Sequence, residues 1–291
     1  MSSESQPEFL IRKAVPADAA ACGQICFDAF STINQAHGFP CDFPSSEVTI
    51  GLLSGLISDP HFYCVVAESD GRILGSNCLD ERSVVFGVGP ITIDPAVQSR
   101  GVGRKLMQAV ISQANDKGAA GIRLVQAAFH NRSLSLYESL GFDVREPLSC
   151  MQGKTTQRSV PGCQVRPAQL ADLEACGDVS MSVHGFARST DLKQGIEWET
   201  ALVVERDGRI TGYTSNLALF GHTVAETNLD LQALIASSGP FGGAGILVPS
   251  RNNALFRWCL ANGLRVVQPM TLMTMGLYNE PSGAWLPSVL F

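Results

Sequence analysis

Gln98-Ser99-Arg100-Gly101-Val102-Gly103 is the stretch of this chain whose residue types most directly imply chemistry. Residues 88–94 before it alternate and carry Ile91 and Ile93, which predicts a strand ended by Asp94-Pro95. After it, Leu106, Val110 and Ile111 fall on one helical face. A strand, a glycine-bearing turn and a helix N-terminus make an anion seat. First-turn amides have no partner inside the helix, and the macrodipole adds partial positive charge. Gly101 and Gly103 let a phosphate approach the backbone, and Arg100, Arg104 and Lys105 add formal charge. The stretch is neither the G-x-G-x-x-G dinucleotide fingerprint nor a P-loop, which needs G-K-S/T.

The spacing Q/R-x-x-G-x-G/A, met by Gln98 through Gly103, is followed downstream by N-x-S-x-x-x-Y-x-x-x-G-F, met by Asn131, Ser133, Tyr137, Gly141 and Phe142. These two motifs, at this separation and in this order, resemble the GCN5-related N-acetyltransferase (GNAT) superfamily over roughly residues 9–150. The resemblance implies a mixed, partly antiparallel sheet that splays open beside the strand at 88–94, with acetyl-CoA or another acyl-CoA as co-substrate and no metal. The pantetheine arm would bond strand backbone near Ile91 and Ile93. The pyrophosphate would sit on amides from Arg100 to Arg104, within the Gln98, Ser99, Arg100, Gly101, Val102, Gly103, Arg104 turn. Asn131, with Ser133 beside it, would hold the arm from the opposite side.

The implied reaction is direct attack of an amine on the thioester carbon, with a group to protonate the departing thiolate. Tyr137 suits that role, since a phenol of pKa ~10 matches a thiolate of similar basicity. A tyrosine at this helical position also suits plain core packing. The general base stays open. Phe86, Gly87 and Val88 stand where some family members carry a glutamate. Asp80 and Glu81 just upstream could reach an amine through water, or could be solvated turn residues; His37, His61 and Tyr63 are weaker candidates. Residues 27–62, where the family builds its acceptor cover, mix aromatics with small polar residues, which points to a small-molecule amine acceptor. A protein N-terminus or lysine as acceptor, and a non-catalytic acyl-CoA-binding module, are the rival readings.

The elements that must position these residues recur along the chain. Arg12, Ala14, Ala17, Asp18, Ala21, Cys22 and Gly23 return as Arg166, Ala168, Ala171, Asp172, Ala175, Cys176 and Gly177. Each block predicts a short strand and an Asp-initiated helix. VVAESDGRILG at 65–75 returns as LVVERDGRITG at 202–212, each a hairpin with an Asp-Gly turn. Residues 130–144 return as 252–266, with Asn131, Gly141 and Val144 matched by Asn253, Gly263 and Val266. The chain therefore reads as an α/β (α+β mixed-sheet) protein of two tandem GNAT-like domains, 9–150 and 164–291, each a mostly antiparallel sheet flanked by helices, joined near 150–163.

The second half has no Q/R-x-x-G-x-G, and Cys259 stands where Tyr137 does. Val224–Leu234 reads as a helix whose start carries Glu226 and Asp230, which would repel a pyrophosphate, and 241–245 reads as a turn. This half is expected to be a degenerate domain. The apolar tail with Trp285, Leu286, Val289, Leu290 and Phe291 should dock; its own domain and a homodimer interface are both open.

Composition bounds the rest. At 291 residues two domains are expected, and 45% hydrophobic against 16% charged residues is globular. A net charge of -6 argues against nucleic-acid or anionic-membrane partners. Nine cysteines without C-x-x-C read as free thiols in a reducing cytosol. No apolar run reaches the ~18 residues of a membrane helix, and the polar, acidic N-terminus is no signal peptide, so a cytoplasmic location is expected.

Overall fold

The computed structural model of the chain describes residues 9–98, 101–156, 159–239 and 241–290. It forms two compact units. One comprises residues up to Glu81 with Val85–Ile122; the other comprises Arg82–Val84 and the chain from Arg123 onward.

In the first unit β1 (Leu10–Lys13) is followed by helices α1 (Ala19–Ala36) and α2 (Ser46–Ser58), then by β2 (Phe62–Ser69) and β3 (Arg72–Asp80). β1, β2 and β3 pair antiparallel in that order. Asp70 and Gly71 both have positive φ (51° and 77°), the turn geometry that matches strand twist in a two-residue hairpin. β4 (Val85–Val88) and β5 (Thr92–Ile93) both pair with β3. Helix α3 (Val102–Asp116) follows. Successive β3 residues point to opposite faces. Asn77 donates to Met107 Sδ of α3, while Ser76 lies against Cys22 of α1, so the two helices cover opposite faces. α1 and α2 meet closely at Gly23, where a Cβ would lie 2.4 Å from Ile50 Cα.

The predicted single strand at 88–94 is in fact two. Leu79 pairs with Val88, but Ser76 pairs with Thr92, so one extra residue is accommodated between β4 and β5. The sequence still alternates through this break, which is why pattern alone did not find it.

In the second unit come β6 (Gly121–Ala127, from Arg123 on), α4 (Asn131–Ser139), β7 (Asp143–Gln152), β8 (Gln164–Pro167), α5 (Leu173–His184), α6 (Ser189–Glu197), β9 (Leu202–Arg206) and β10 (Arg209–Thr214). They continue with β11 (Thr223–Ala225), α7 (Asn228–Ser237), β12 (Ile246–Pro249), α8 (Asn253–Ala261), β13 (Arg265–Gly276) and β14 (Ala284–Leu286). One sheet runs β14-β11-β10-β9-β8, antiparallel throughout. In the other, the strands run β6-β13-β7-β12. The last strands of the two repeats are thus exchanged: β7 lies beside β12, and β13 beside β6. Leu148 pairs with Met270, its own counterpart in the repeat, so the two strands meet about a local twofold. This exchange ties residues of the first repeat from Arg123 on to the second, and the compact units accordingly differ from the sequence repeats.

Residues 223–225 are strand, not helix. Thr223-Val224-Ala225 is buried and paired on both edges, and the helix starts only after the Thr227 cap. The tail through Val289 docks on its own unit, since β14 pairs with β11 and Val289 N–H donates to Leu219 O; Phe291 lies outside the described residues.

The first repeat block turns out to encode an ion pair. Arg12 donates to both Asp18 carboxylate oxygens at 2.7 and 2.9 Å, and Arg166 does the same to Asp172 at the same distances. Each aspartate also accepts from a backbone N–H three residues earlier, Val15 and Gln169. The aspartates end short 3-10 turns and tie them to the first strand of each repeat. Their guanidinium partners hold both carboxyls below the usual range. A depressed folded pKa stabilises above the unfolded value, ~3.9, and that contribution is lost as pH falls through the lower folded pKa. Asp18→Asn keeps the shape but not the charge. It is expected to cost about 1–3 kcal/mol at neutral pH and to lose less stability than wild type between pH 4 and pH 2, read from urea unfolding of the full chain.

Candidate active site

The strand end that leads into the glycine turn is anchored by Asp94. Its N–H donates to Leu74 O (2.9 Å), its side chain accepts from Ala96 N–H (2.9 Å) and pairs with Arg72 at the start of β3. β5 can approach β3 only because residue 75 is glycine, where a Cβ would sit 2.5 Å from Thr92 O. Ile91 and Ile93, both half-buried, flank Thr92 at this crossing.

Pro95–Val97 makes one 3-10 turn, Gln98 follows, and Gly101 is the N-cap of α3 with φ 84°. Ser99 and Arg100 lie outside the described residues. The first intrahelical bond is Lys105 N–H to Gly101 O (3.2 Å), and no side chain caps the helix. The backbone of Val102, Gly103 and Arg104 forms the first turn of the helix. Among the described residues, its chain neighbours aside, no heavy atom stands within 4 Å of where a Gly101 Cβ would be. Space and the helix dipole suit a phosphate. Val102 is buried and, with Leu106, Met107 and Val110, fixes the helix to the unit.

Glu81 closes β3. Its Oε1 accepts from Gln113 Nε2 (2.8 Å), its Oε2 is 3.8 Å from Lys117 Nζ, and its N–H donates to His61 O. Gln113 lies about 16 Å along α3 from Val102, at 1.5 Å per residue. Asp80 is buried. In the stretch at 27–62, Phe30 and Phe43 meet edge to face at 5.5 Å, and buried Asn34 donates to Asp42. Part of that stretch is packing.

In the second unit α4 carries the later motif. Asn131, its first residue, is exposed. Ser133 Oγ donates to Gln126 Oε1 (3.0 Å) or to His130 O (2.9 Å), so its hydroxyl orders the helix start. Tyr137 is buried beside Phe142, ring centroids 6.2 Å apart, and burial pushes its phenol well above the ordinary value. It stays protonated throughout the neutral range. Gly141, at φ 94°, closes the helix. Sequence reasoning missed His130, whose Nδ1 accepts from Ser133 N–H (3.2 Å). Its counterpart Asn252 accepts from Leu255 N–H in the same way, so the repeat itself held the signal.

The same frame recurs around α7 with a different outcome. Gly75 and Gly212 match at an offset of 137 residues, and at that offset Arg209 pairs with Glu226 as Arg72 does with Asp94. Glu226 N–H donates to Thr211 O as Asp94 N–H does to Leu74 O. Where Pro95–Gly101 lies between Asp94 and α3, Thr227 alone stands between Glu226 and α7. Thr227 Oγ1 caps the Asp230 N–H, and the Asp230 carboxylate occupies the first turn, held by Arg206 and Thr211. A threonine and a carboxylate fill the place that α3 leaves to an anion.

The two repeats share one mixed α/β frame, with a glycine at the start of α3 and a capping threonine at the start of α7. Residues 29–142 match the acetyltransferase (GNAT) family. Solved structures share the two-repeat fold over nearly the whole chain. An acetyltransferase candidate from Pyrococcus horikoshii is 16% identical, with TM-score 0.69 and 97% and 96% of the two chains covered. A GCN5-related N-acetyltransferase from Sphaerobacter thermophilus is 18% identical, with TM-score 0.63 over 94% and 98%. A tandem GNAT protein of the clavulanic acid biosynthesis pathway is 14% identical, with TM-score 0.57 over 97% and 100%. Among the described residues no helix is long and apolar enough to cross a membrane, and no three His, Cys, Asp or Glu side chains come together as a metal would need.

The Gly101 backbone predicts its own test. Gly101→Ala meets no neighbour but must hold φ 84°, so it should cost about 1–2 kcal/mol in unfolding experiments, whereas Gly75→Ala should cost more and shift β5, visible as altered amide chemical shifts at Thr92 and Ile93.

Proposed function

We propose that the chain transfers an acyl group from acyl-CoA to the amine of a small molecule. The repeat at 9–150 would hold the one acyl-CoA, and the repeat at 164–291 would hold none. The observation that carries this reading is the start of α3, opened by a glycine in the left-handed region that follows the Gln98-to-Gly103 spacing. The diphosphate would be held by the amides of Val102, Gly103 and Arg104 together with Gln98, Ser99 and Arg100, and the pantetheine arm by backbone at Ile91 and Ile93 and by Asn131.

The amine nitrogen attacks the thioester carbonyl carbon, the carbon–sulfur bond breaks, and Tyr137 gives its phenolic proton to the departing sulfur. The proton that the new amide nitrogen sheds restores the phenol through solvent. Tyr137 is protonated across the neutral range, the form that donates, while the burial that raises its pKa makes it a weaker acid than a free phenol. Glu81, already held by Gln113 and Lys117, is better suited to orienting the end of β3 than to accepting the amine proton. An amine that arrives neutral needs no strong base. Nine cysteines without a disulfide suit a reducing, cytoplasmic setting.

Calorimetric titration with acetyl-CoA should find one site per chain; no binding at millimolar ligand sinks the reading. Tyr137→Phe should then lower turnover about 10²-fold while leaving acetyl-CoA affinity nearly unchanged. A large loss of affinity instead would assign Tyr137 to binding.

A further inference from the structure

We infer that the second repeat's acyl-CoA cleft is occupied by the chain's own C-terminal strand, β14, which takes the place of a pantetheine arm. The inference rests on the acyl-CoA reading of the first repeat, and the repeat supplies the geometry. Gly75 of β3 pairs with Ile93 and Ser76 with Thr92; their counterparts Gly212 and Tyr213 of β10 pair with Ala225 and Val224. Thr223, Val224 and Ala225 are therefore the second repeat's versions of Ile91, Thr92 and Ile93. In the first repeat this is the backbone edge expected to bond the pantetheine. In the second, the edge is already taken: Thr223 pairs with Leu286, Val224 with Trp285 and Ala225 with Ala284.

The slot is filled on both faces. Ala284 and Leu286 join Leu231, Ile235, Ile246 and Leu255 in one core, and Trp285 points the other way into Leu148, Cys150, Leu247 and Met270. All three β14 residues are buried, and β14 also packs against β12, the counterpart of β6 across the slot. The strand is pinned at both ends. Ser282 N–H donates to Val183 O before it, and Val289 N–H to Leu219 O after it. Gly283 permits the entry, since a Cβ there would meet Ala225 O at 2.6 Å. An arm could enter only by displacing a strand paired along its length.

The mouth of the slot has changed to match. A cavity of about 480 Å³ remains at the starts of α7 and α8, lined among others by Glu146, Glu226, Glu280, Arg251, Asn228 and Asn252. Arg251 is bound to Glu146 and Glu280, and Glu226 to Arg209. Thr227 and Asn252 cap the two helices with their own side chains. Three carboxylates and two occupied caps disfavour a diphosphate here.

The test is hydrogen–deuterium exchange on the full chain with and without saturating acetyl-CoA, joined to titration of the full-length Gly101→Asp variant. The expected result is slow exchange at 223–225 and 284–286 that acetyl-CoA leaves unchanged, and no measurable acetyl-CoA binding by Gly101→Asp. Loop-like exchange at 284–286 in the free protein overturns the inference. So does loss of protection there on adding acetyl-CoA, or one-site binding by Gly101→Asp with new protection at 223–230. Failure of the underlying reading looks different: 101–107 gains no protection from acetyl-CoA while 284–286 stays slow, and the slot then loses its identity as an acyl-CoA cleft.

Discussion

The pairing of β7 with β13 is the contact on which the second unit depends. Two strands that are each other's repeat counterparts run antiparallel with Leu148 opposite Met270, and each offers its far edge to the other repeat's preceding strand. Leu148, Cys150, Met151, Leu272 and Met273 are all buried along this pair. A repeat without its partner would lack the strand beside β6 or beside β12, and would expose an apolar, unpaired edge. In this arrangement neither half completes its own sheet.

On that shared frame the two halves diverge at one kind of place, the start of a helix after the strand next to the hairpin. The polar anchors are kept: Arg12–Asp18 and Arg166–Asp172 tie the first turns, and Arg72–Asp94 and Arg209–Glu226 tie the strand ends. What differs is the chain between anchor and helix. A seven-residue connection, Pro95–Gly101, ends in a glycine whose positive φ leaves the helix bare, while Thr227 alone makes the same connection and caps its helix. The difference at this place is therefore one of loop length and cap chemistry.

Much of this could be read from the chain because local physics wrote it there. Asp-Gly at 70–71 and at 207–208 specifies a turn with two positive φ values, and both turns form that way. The recurrence of Arg12 with Asp18 signalled a unit, though the bidentate pair behind it needed coordinates. Other features leave no local trace. The extra residue between β4 and β5 preserves the alternation of apolar positions. The exchange of β7 and β13 is invisible because the two strands have equivalent patterns, so either pairing satisfies the same periodicity. Ala284–Leu286 is too short to show a period at all, and its identity as a strand comes from β11, some 60 residues earlier in the chain.

The exchange also ties α4 of the first repeat to a strand of the second. α4, which carries Asn131 and Tyr137, is suspended between β6 and β7, and within the unit both of those strands are bordered by β13 of the second repeat. Ala128 N–H, in the turn leading into α4, donates to Pro269 O of that same strand. Tyr137 and Phe142 thus sit on a scaffold whose middle strand belongs to the second repeat. Trp285 of β14 packs on Leu148, Cys150 and Met270 of the β7–β13 pair, so the strand at the end of the chain also braces the scaffold under α4.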